Sequence, residues 1–171
     1  MRLATTMGAT VIAGVGSEAK RAGALALGPS AVVCLADTAW ADDVRRATGG
    51  RGADVVLQAT GGTVGAESLR ALAPLGRLVM FGADNVVHPE PLAADQMRAL
   101  VAKAQSLGGF ALMRVPEDTR ARAFDELVER VASGALALDV TPFPFADVQR
   151  AHAEMGARCT VGKVVLELDS A

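Results

Sequence analysis

The stretch Ala9-Thr10-Val11-Ile12-Ala13-Gly14-Val15-Gly16-Ser17-Glu18-Ala19-Lys20 decides the fold. An apolar, β-branched run ends in a glycine-containing turn, and helix-forming residues follow at once. The reading is a strand over 10–13 and a helix over 17–27, stopped by Gly28-Pro29. A second apolar run, 31–35, ends just before Asp37. Strand, turn, helix and strand in that order make a right-handed parallel unit. Gly14 and Gly16 are expected to supply positive φ or a close approach. Ser17 is placed as the helix N-cap, and the helix start behind it is an anion site.

Three readings of this turn stand on the residues alone. Gly14-x-Gly16-x-x-Ala19 fits a dinucleotide fingerprint, with Asp37 as the acid that meets the ribose. Alternatively the strand is the second of such a domain, and Ser17 and Lys20 take the 2′-phosphate of NADP. The third is a plain β–α turn with no ligand.

Working outward, the same rhythm continues. Residues 2–7 resemble the last turns of a helix closed by Gly8. A helix to about residue 47 follows Asp37-Thr38, and Thr48-Gly-Gly-Arg-Gly52 ends it. A third strand spans 54–58, and Ala59-Thr60-Gly61-Gly62-Thr63 turns it into a helix over 64–72. A fourth strand covers 77–82. The strands are short apolar runs, as in a parallel sheet covered on both faces. After Gly82 come a loop-like stretch, a helix within 91–106, a fifth strand over 108–113 and an amphipathic helix over 116–132. An extended run at 140–145, a helix over 145–157 and a last strand over 161–168 complete the chain. The fold class is α/β, a doubly wound parallel sheet.

Composition narrows the function. The chain has 171 residues, 51% of them hydrophobic, with a net charge of −2. Lys and Arg are scattered, so neither nucleic acid nor a membrane surface is the expected partner. Cys34 and Cys159 form no zinc spacing and no disulfide framework, and a reducing cytoplasm is the default. With no Tyr in the chain, phenolic acid catalysis is excluded. His88 has no carboxylate at a telling spacing and is read as a surface residue.

The succession Gly8-Ala-Thr-Val-Ile-Ala, Gly16-Ser-Glu-Ala-Lys20, Gly49-Gly-Arg-Gly-Ala-Asp-Val-Val-Leu57, Gly61-Gly62, Leu72-Ala-Pro-Leu-Gly-Arg-Leu-Val79 and Val161-Gly-Lys-Val-Val-Leu166 resembles the medium-chain dehydrogenase/reductase superfamily. The branch it resembles is that of the quinone oxidoreductases (zeta-crystallin-like proteins) and polyketide enoyl reductases. The resemblance covers nearly the whole chain and implies a Rossmann-like sheet lacking its first strand. It implies a nucleotide-binding part over 1–139 and a C-terminal extension over 140–171, which in relatives packs on the catalytic domain. It matches 10–20 to the second strand, so Ser17 and Lys20 fall at the adenosine 2′-phosphate and favour NADP(H). Thr60, Gly61 and Gly62 fall near the nicotinamide-side ribose, and Phe81 and Gly82 line the cofactor. Lys163 matches a recurring family lysine, and the family's Ala-His pattern at Ala151-His152 implies a packing role for His152. No zinc is expected, and no catalytic side chain can be assigned, because the cofactor carries the hydride.

The resemblance also implies that the catalytic domain and the pyrophosphate loop are absent. The expectation is therefore a truncated NADP(H)-binding domain, impaired as a reductase alone, with a small-molecule substrate. A homodimer and a partner chain supplying a catalytic domain are further expectations. Two rivals stand: a repurposed non-redox enzyme such as a cyclase or isomerase, and a non-catalytic binding or scaffold subunit. In the family's strand order, 3-2-1-4-5-6, the absent strand is central. Three closures of the resulting gap are expected to compete: direct pairing of strands 10–13 and 54–58, insertion of 161–168, or a strand from a second chain.

Overall fold

A computed structural model describes residues 1–87, 89, 91–157 and 159–168. The chain forms two compact units, over 3–120 and from 121 onward.

In the first unit, helix α1 (Arg2–Thr6) precedes strand β1 (Ile12–Val15). A 3₁₀ turn (Glu18–Lys20) and α2 (Arg21–Leu25) lead to β2 (Ala31–Cys34). Helix α3 (Trp40–Ala47) then crosses to β3 (Ala53–Gln58). Helix α4 (Thr63–Ala71) runs directly into β4 (Leu72–Met80). The short α5 (Asp84–Val87) and α6 (Ala94–Ala102) precede β5 (Ser106–Gly109). All pairings are parallel: β1 with β2, β3 with β4, and β4 with β5. The α/β, Rossmann-like fold is as the sequence indicates.

One core holds this unit together. Val33 of β2, Trp40, Ala41 and Val44 of α3 and Ala71 of α4 are buried, with Ile12 of β1 and Ala53 of β3 packed against them. A second cluster, Leu69, Leu72 and Leu78, sits between α4 and the β3–β4 pair. The Arg45 guanidinium locks α3 to α4 by donating from Nε and Nη2 to the Arg70 carbonyl at 3.0 and 2.7 Å. That satisfies an end-of-helix acceptor that would otherwise lack a partner.

Several local expectations change. The helix expected over 17–27 is a 3₁₀ turn followed by a single short helix. Neither Gly14 nor Gly16 takes positive φ. Gly14 instead provides close approach, since a Cβ there would lie 3.0 Å from the Leu35 side chain. Residues 84–87, expected as loop, form a helical turn. The fourth strand begins at Leu72, well before the expected Arg77, and carries a register shift between Ala53 and Val55 of β3. The fifth strand ends at Gly109, and a 3₁₀ turn, Leu112–Arg114, replaces its second half.

Among the described residues the sheet closes by neither intramolecular route: β1 pairs with β2, β3 with β4, and the C-terminal strand with β6 (residues 140–144). Side chains of both ladders pack against α3 and α4, with no strand pairing between the ladders among the described residues.

Helix α7 (Glu117–Ala132) runs from the first unit into the second. The second unit is a β-α-β motif. Strand β6 (Val140–Pro144), a 3₁₀ turn (Phe145–Asp147), α8 (Val148–Gly156) and β7 (Lys163–Glu167) place β6 and β7 in parallel. Phe143 and Ala151 are buried at its centre, and the Arg150 guanidinium lies 4.8 Å from the Phe143 ring centroid. Gly162 has φ +76°, and a Cβ there would come within 2.2 Å of the Asp139 carbonyl oxygen, so this corner accepts only glycine. No helix among the described residues is long and apolar enough to cross a membrane.

Candidate nucleotide site

Ligands of open parallel sheets sit beyond the carboxyl ends of the strands, because side chains and loop amides converge there. The residues singled out from the sequence lie at three such ends: Ser17 and Lys20 after β1, Thr60 to Gly62 after β3, and Phe81 and Gly82 after β4.

After β1 the backbone stays extended through Ser17, at φ −156° and ψ 156°, before the 3₁₀ turn begins. Ser17 is exposed and its hydroxyl makes no capping bond, so the expected N-cap is one in position only. Lys20 ends the turn with its amide on the Ser17 carbonyl at 3.1 Å. Among the described residues the Lys20 ammonium has no ion-pair partner. The sequence reading missed Arg21. Its guanidinium donates to the Glu18 carboxylate and to the Val32 carbonyl of β2. The hydrogen bond from Arg21 holds the Glu18 carboxyl below its ordinary range and raises the guanidinium in turn. Arg21 thus fixes the turn to the sheet and neutralises the neighbouring acid, leaving Lys20 as the cation at this strand end.

Asp37, the ribose acid of the literal fingerprint, accepts the Ala39 amide at 2.9 Å from within its own turn. That bond fixes the entry to α3.

The loops after β3 and β4 are in contact. The Phe81 amide donates to the Gln58 carbonyl at 2.9 Å. The Asn85 carboxamide donates to the carbonyls of Gln58 and Phe81 at 3.1 and 2.5 Å. Gly82, at φ +83°, lets the β4 loop pass the Ala59 carbonyl, which a Cβ would approach to 3.3 Å. Gly62 caps α4 with positive φ, and no side chain caps this helix start. Its first amides therefore point out unclaimed by any capping side chain, a polar feature that suits an oxygen-rich ligand. Phe81 is 37% exposed beside them. The structure thus joins Gln58 and Ala59, just ahead of Thr60–Gly62, to Phe81, Gly82 and Asn85, and among the described residues no hydrogen bond or ion pair is seen from either loop to Ser17 or Lys20.

Gln58 and Asn85 also escaped the sequence reading. Gln58 is 4% exposed, and among the described residues neither atom of its carboxamide has a hydrogen-bond partner, nor has Asn85 Oδ1. A cavity of about 70 Å³ lies alongside, lined by Gly62, Gly65, Met80, Asn85 and Gln96 among others. For Gln58 the signal available in the sequence was a polar residue closing the apolar run Val55-Val56-Leu57.

The remaining candidates lie elsewhere. Lys163 opens β7 in the second unit and is exposed. His152 is exposed on α8, and the buried residue there is its neighbour Ala151, so the packing role expected of His152 falls to Ala151. His88 lies outside the described residues. Among the described residues no group of three or more His, Cys, Asp or Glu side chains could hold a metal ion.

Residues 27–166 match the family model described as zinc-binding dehydrogenase, and the chain belongs to that family. Its relatives include the 2-haloacrylate reductase of a Burkholderia species, 32% identical over 94% of this chain and 48% of that protein. Quinone oxidoreductase 1 of Escherichia coli strain K12 is 29% identical over 95% of this chain and 50% of that protein. Polyketide synthases and an enoyl reductase structure match as well. Among solved structures, a mycobacterial protein complexed with NADPH superposes with a TM-score of 0.79 at 32% identity, covering 96% of this chain and 52% of that one. The chain spans about half the length of the curated relatives it matches, and it corresponds to their nucleotide-binding, C-terminal part. The donor set among the described residues does not fit the zinc of the family's name.

Proposed function

We propose that this chain is the NADP(H)-binding part of a quinone oxidoreductase- or enoyl reductase-like protein, with the selectivity for the phosphorylated coenzyme residing in Ser17 and Lys20. The observation that carries this reading is the pairing pattern after β1. Arg21 and Glu18 satisfy each other, while Lys20 and the Ser17 hydroxyl are left beside them without a partner among the described residues. A cation and a hydroxyl donor at one turn suit a phosphate dianion. By the family match, Thr60, Gly61 and Gly62 would approach the nicotinamide-side ribose, and Phe81 and Gly82 would line the cofactor. When bound, NADPH supplies the hydride. The chain's own residues bind and orient it, and the substrate is a small molecule rather than nucleic acid or membrane.

In this reading the chain acts as a homodimer in a cytoplasmic setting, and a catalytic domain from a partner chain completes the reductase. Residues 1–139 bind the nucleotide, and residues 140–171 pack on that domain. Alone the chain is a poor reductase, because positioning is most of what a protein contributes to hydride transfer.

The test is a fluorescence titration of the purified chain with NADPH and with NADH. Tighter binding of NADPH is expected. Equal affinities would remove the role given to Ser17 and Lys20, and no binding of either would turn the account toward the non-redox or scaffold alternatives.

A further inference from the structure

We propose that the Gln58 carboxamide and Asn85 Oδ1 head an internal pocket that binds a small aliphatic primary amide. This goes beyond the nucleotide reading and does not depend on it.

The pocket follows from strand alternation. Residues i and i+2 of a strand share a face, so Gln58 lies on the face of Val56 in β3, and Met80 on the face of Leu78 in β4. Across the ladder Val56 is paired with Leu78, and Gln58 with Met80. Val56, Leu78 and Met80 belong to the apolar cluster under α4. Gln58 therefore points under the same helix, a polar side chain at the end of an apolar row. Gly65 of α4 leaves room for it: a Cβ there would lie 3.8 Å from both Gln58 Nε2 and Met80 Cε. Gly65 and Met80 are walls of the cavity of about 70 Å³, so the carboxamide faces that cavity.

Three atoms set the chemistry. Gln58 is 4% exposed, and among the described residues neither its Nε2 nor its Oε1 has a hydrogen-bond partner. Asn85 donates from Nδ2 to the carbonyls of Gln58 and Phe81, which fixes Oδ1 as the other end, and Oδ1 has no partner either. Buried polar groups left in this way are costly. Together they offer one donor group and two acceptors. A primary amide is the complement: its carbonyl accepts from Gln58 Nε2, and its two N–H groups donate to Gln58 Oε1 and Asn85 Oδ1. Gln96, the other carboxamide at the cavity, is already engaged. It accepts the Ala93 amide and donates to the Ala66 carbonyl.

The walls set size and charge. Leu69, Leu78, Met80 and Leu107 line the remainder. They favour a hydrocarbon body over water alone. No described lining residue is charged, so a carboxylate or ammonium would be buried without a counter-ion. The cavity holds about 70 Å³, against the ~30 Å³ share of one water. That admits roughly four or five non-hydrogen atoms, fewer than a nicotinamide ring with its carboxamide.

The probes are acetamide and propionamide, titrated into the 171-residue chain. The readout is NMR of the side-chain NH₂ groups of Gln58 and Asn85 and of the Gly65 amide. Saturable shifts of all three are expected. N,N-Dimethylpropionamide has no donor and propionate is charged, and each should bind at least about tenfold more weakly, as loss of a hydrogen bond implies. Gln58→Leu should abolish the response. It sets an apolar side chain of similar size beside Val56, Leu78 and Met80, so the variant is expected to fold, which circular dichroism checks. If it does not fold, the ligand series on the unsubstituted chain decides.

Four outcomes would overturn the proposal. Neither amide could give a saturable shift. Propionate or the dimethyl compound could move the same signals with equal affinity, which would mean an adventitious additive only. Folded Gln58→Leu could keep the response. Nicotinamide could saturate the same signals more tightly than propionamide, which would give the site to the coenzyme. A ligand carrying the 2′-phosphate but no amide, such as 2′,5′-ADP, tests the nucleotide reading separately, so the two can fail independently.

Discussion

At Lys20 the proposed coenzyme preference rests on one side chain. Lys20→Ala should weaken NADPH binding by about 1–3 kcal/mol, the range for a charge-assisted contact, and leave NADH unaffected. Titrating the variant with both coenzymes checks this. Glu18 gives a pH prediction. Its folded-state value lies below that of the unfolded chain because Arg21 donates a hydrogen bond to the carboxylate. The contact is therefore fully present above the ordinary value of 4.5 and is lost as pH falls through the depressed one. Carboxyl NMR of Glu18 should show a midpoint below the ordinary value, and Arg21→Ala should return it there. An ordinary midpoint in the unsubstituted chain would contradict the pairing. Gly82 is the third test. At φ +83°, beside the Ala59 carbonyl, Gly82→Ala should cost about 1–3 kcal/mol of stability, measured by denaturant unfolding.

At the level of elements, the strands were readable because short apolar runs bounded by Gly, Pro, Ser and Asp leave few alternatives. β1, β2 and β3 lie within a residue or two of their expected positions. The failures have identifiable causes. Helix 17–27 shrinks because Arg21 turns inward to β2, a tertiary bond that local propensity does not encode. β4 starts early because Leu72 pairs with Ala53 ahead of a register shift around Pro74 and Gly76. Ser17 and Lys20 were legible through the family pattern. Arg21, Gln58 and Asn85 were not, since their importance lies in which carbonyl or cavity each side chain meets. Leu78, 1% exposed at the centre of its cluster, should cost about 2–5 kcal/mol when cut to Ala. Thermal denaturation followed by circular dichroism measures this loss.

At the scale of the whole molecule, the question is what covers the remaining apolar surface. All four residues of β5 are exposed, and its outer edge pairs with no strand among the described residues. In the second unit Val140, Val161 and Leu168 are exposed as well. Free edges and apolar segments of this kind favour association. Sedimentation of the purified chain at micromolar concentration should show a dimer through one of these faces, and a monomer with a protease-resistant C-terminal segment would contradict that. The same preparation, mixed with NADPH and a simple quinone, should oxidise the coenzyme no faster than a protein-free control.

The central claim is that the turn after β1 recognises a 2′-phosphate. The direct measurement is NMR shift mapping of the chain with 2′,5′-ADP and, separately, with 5′-AMP. The account predicts that 2′,5′-ADP moves the amides of Ser17 and Lys20 and that 5′-AMP, which lacks the 2′-phosphate, does not. Equal shifts with both ligands, or shifts with 2′,5′-ADP that bypass these two residues, would contradict it.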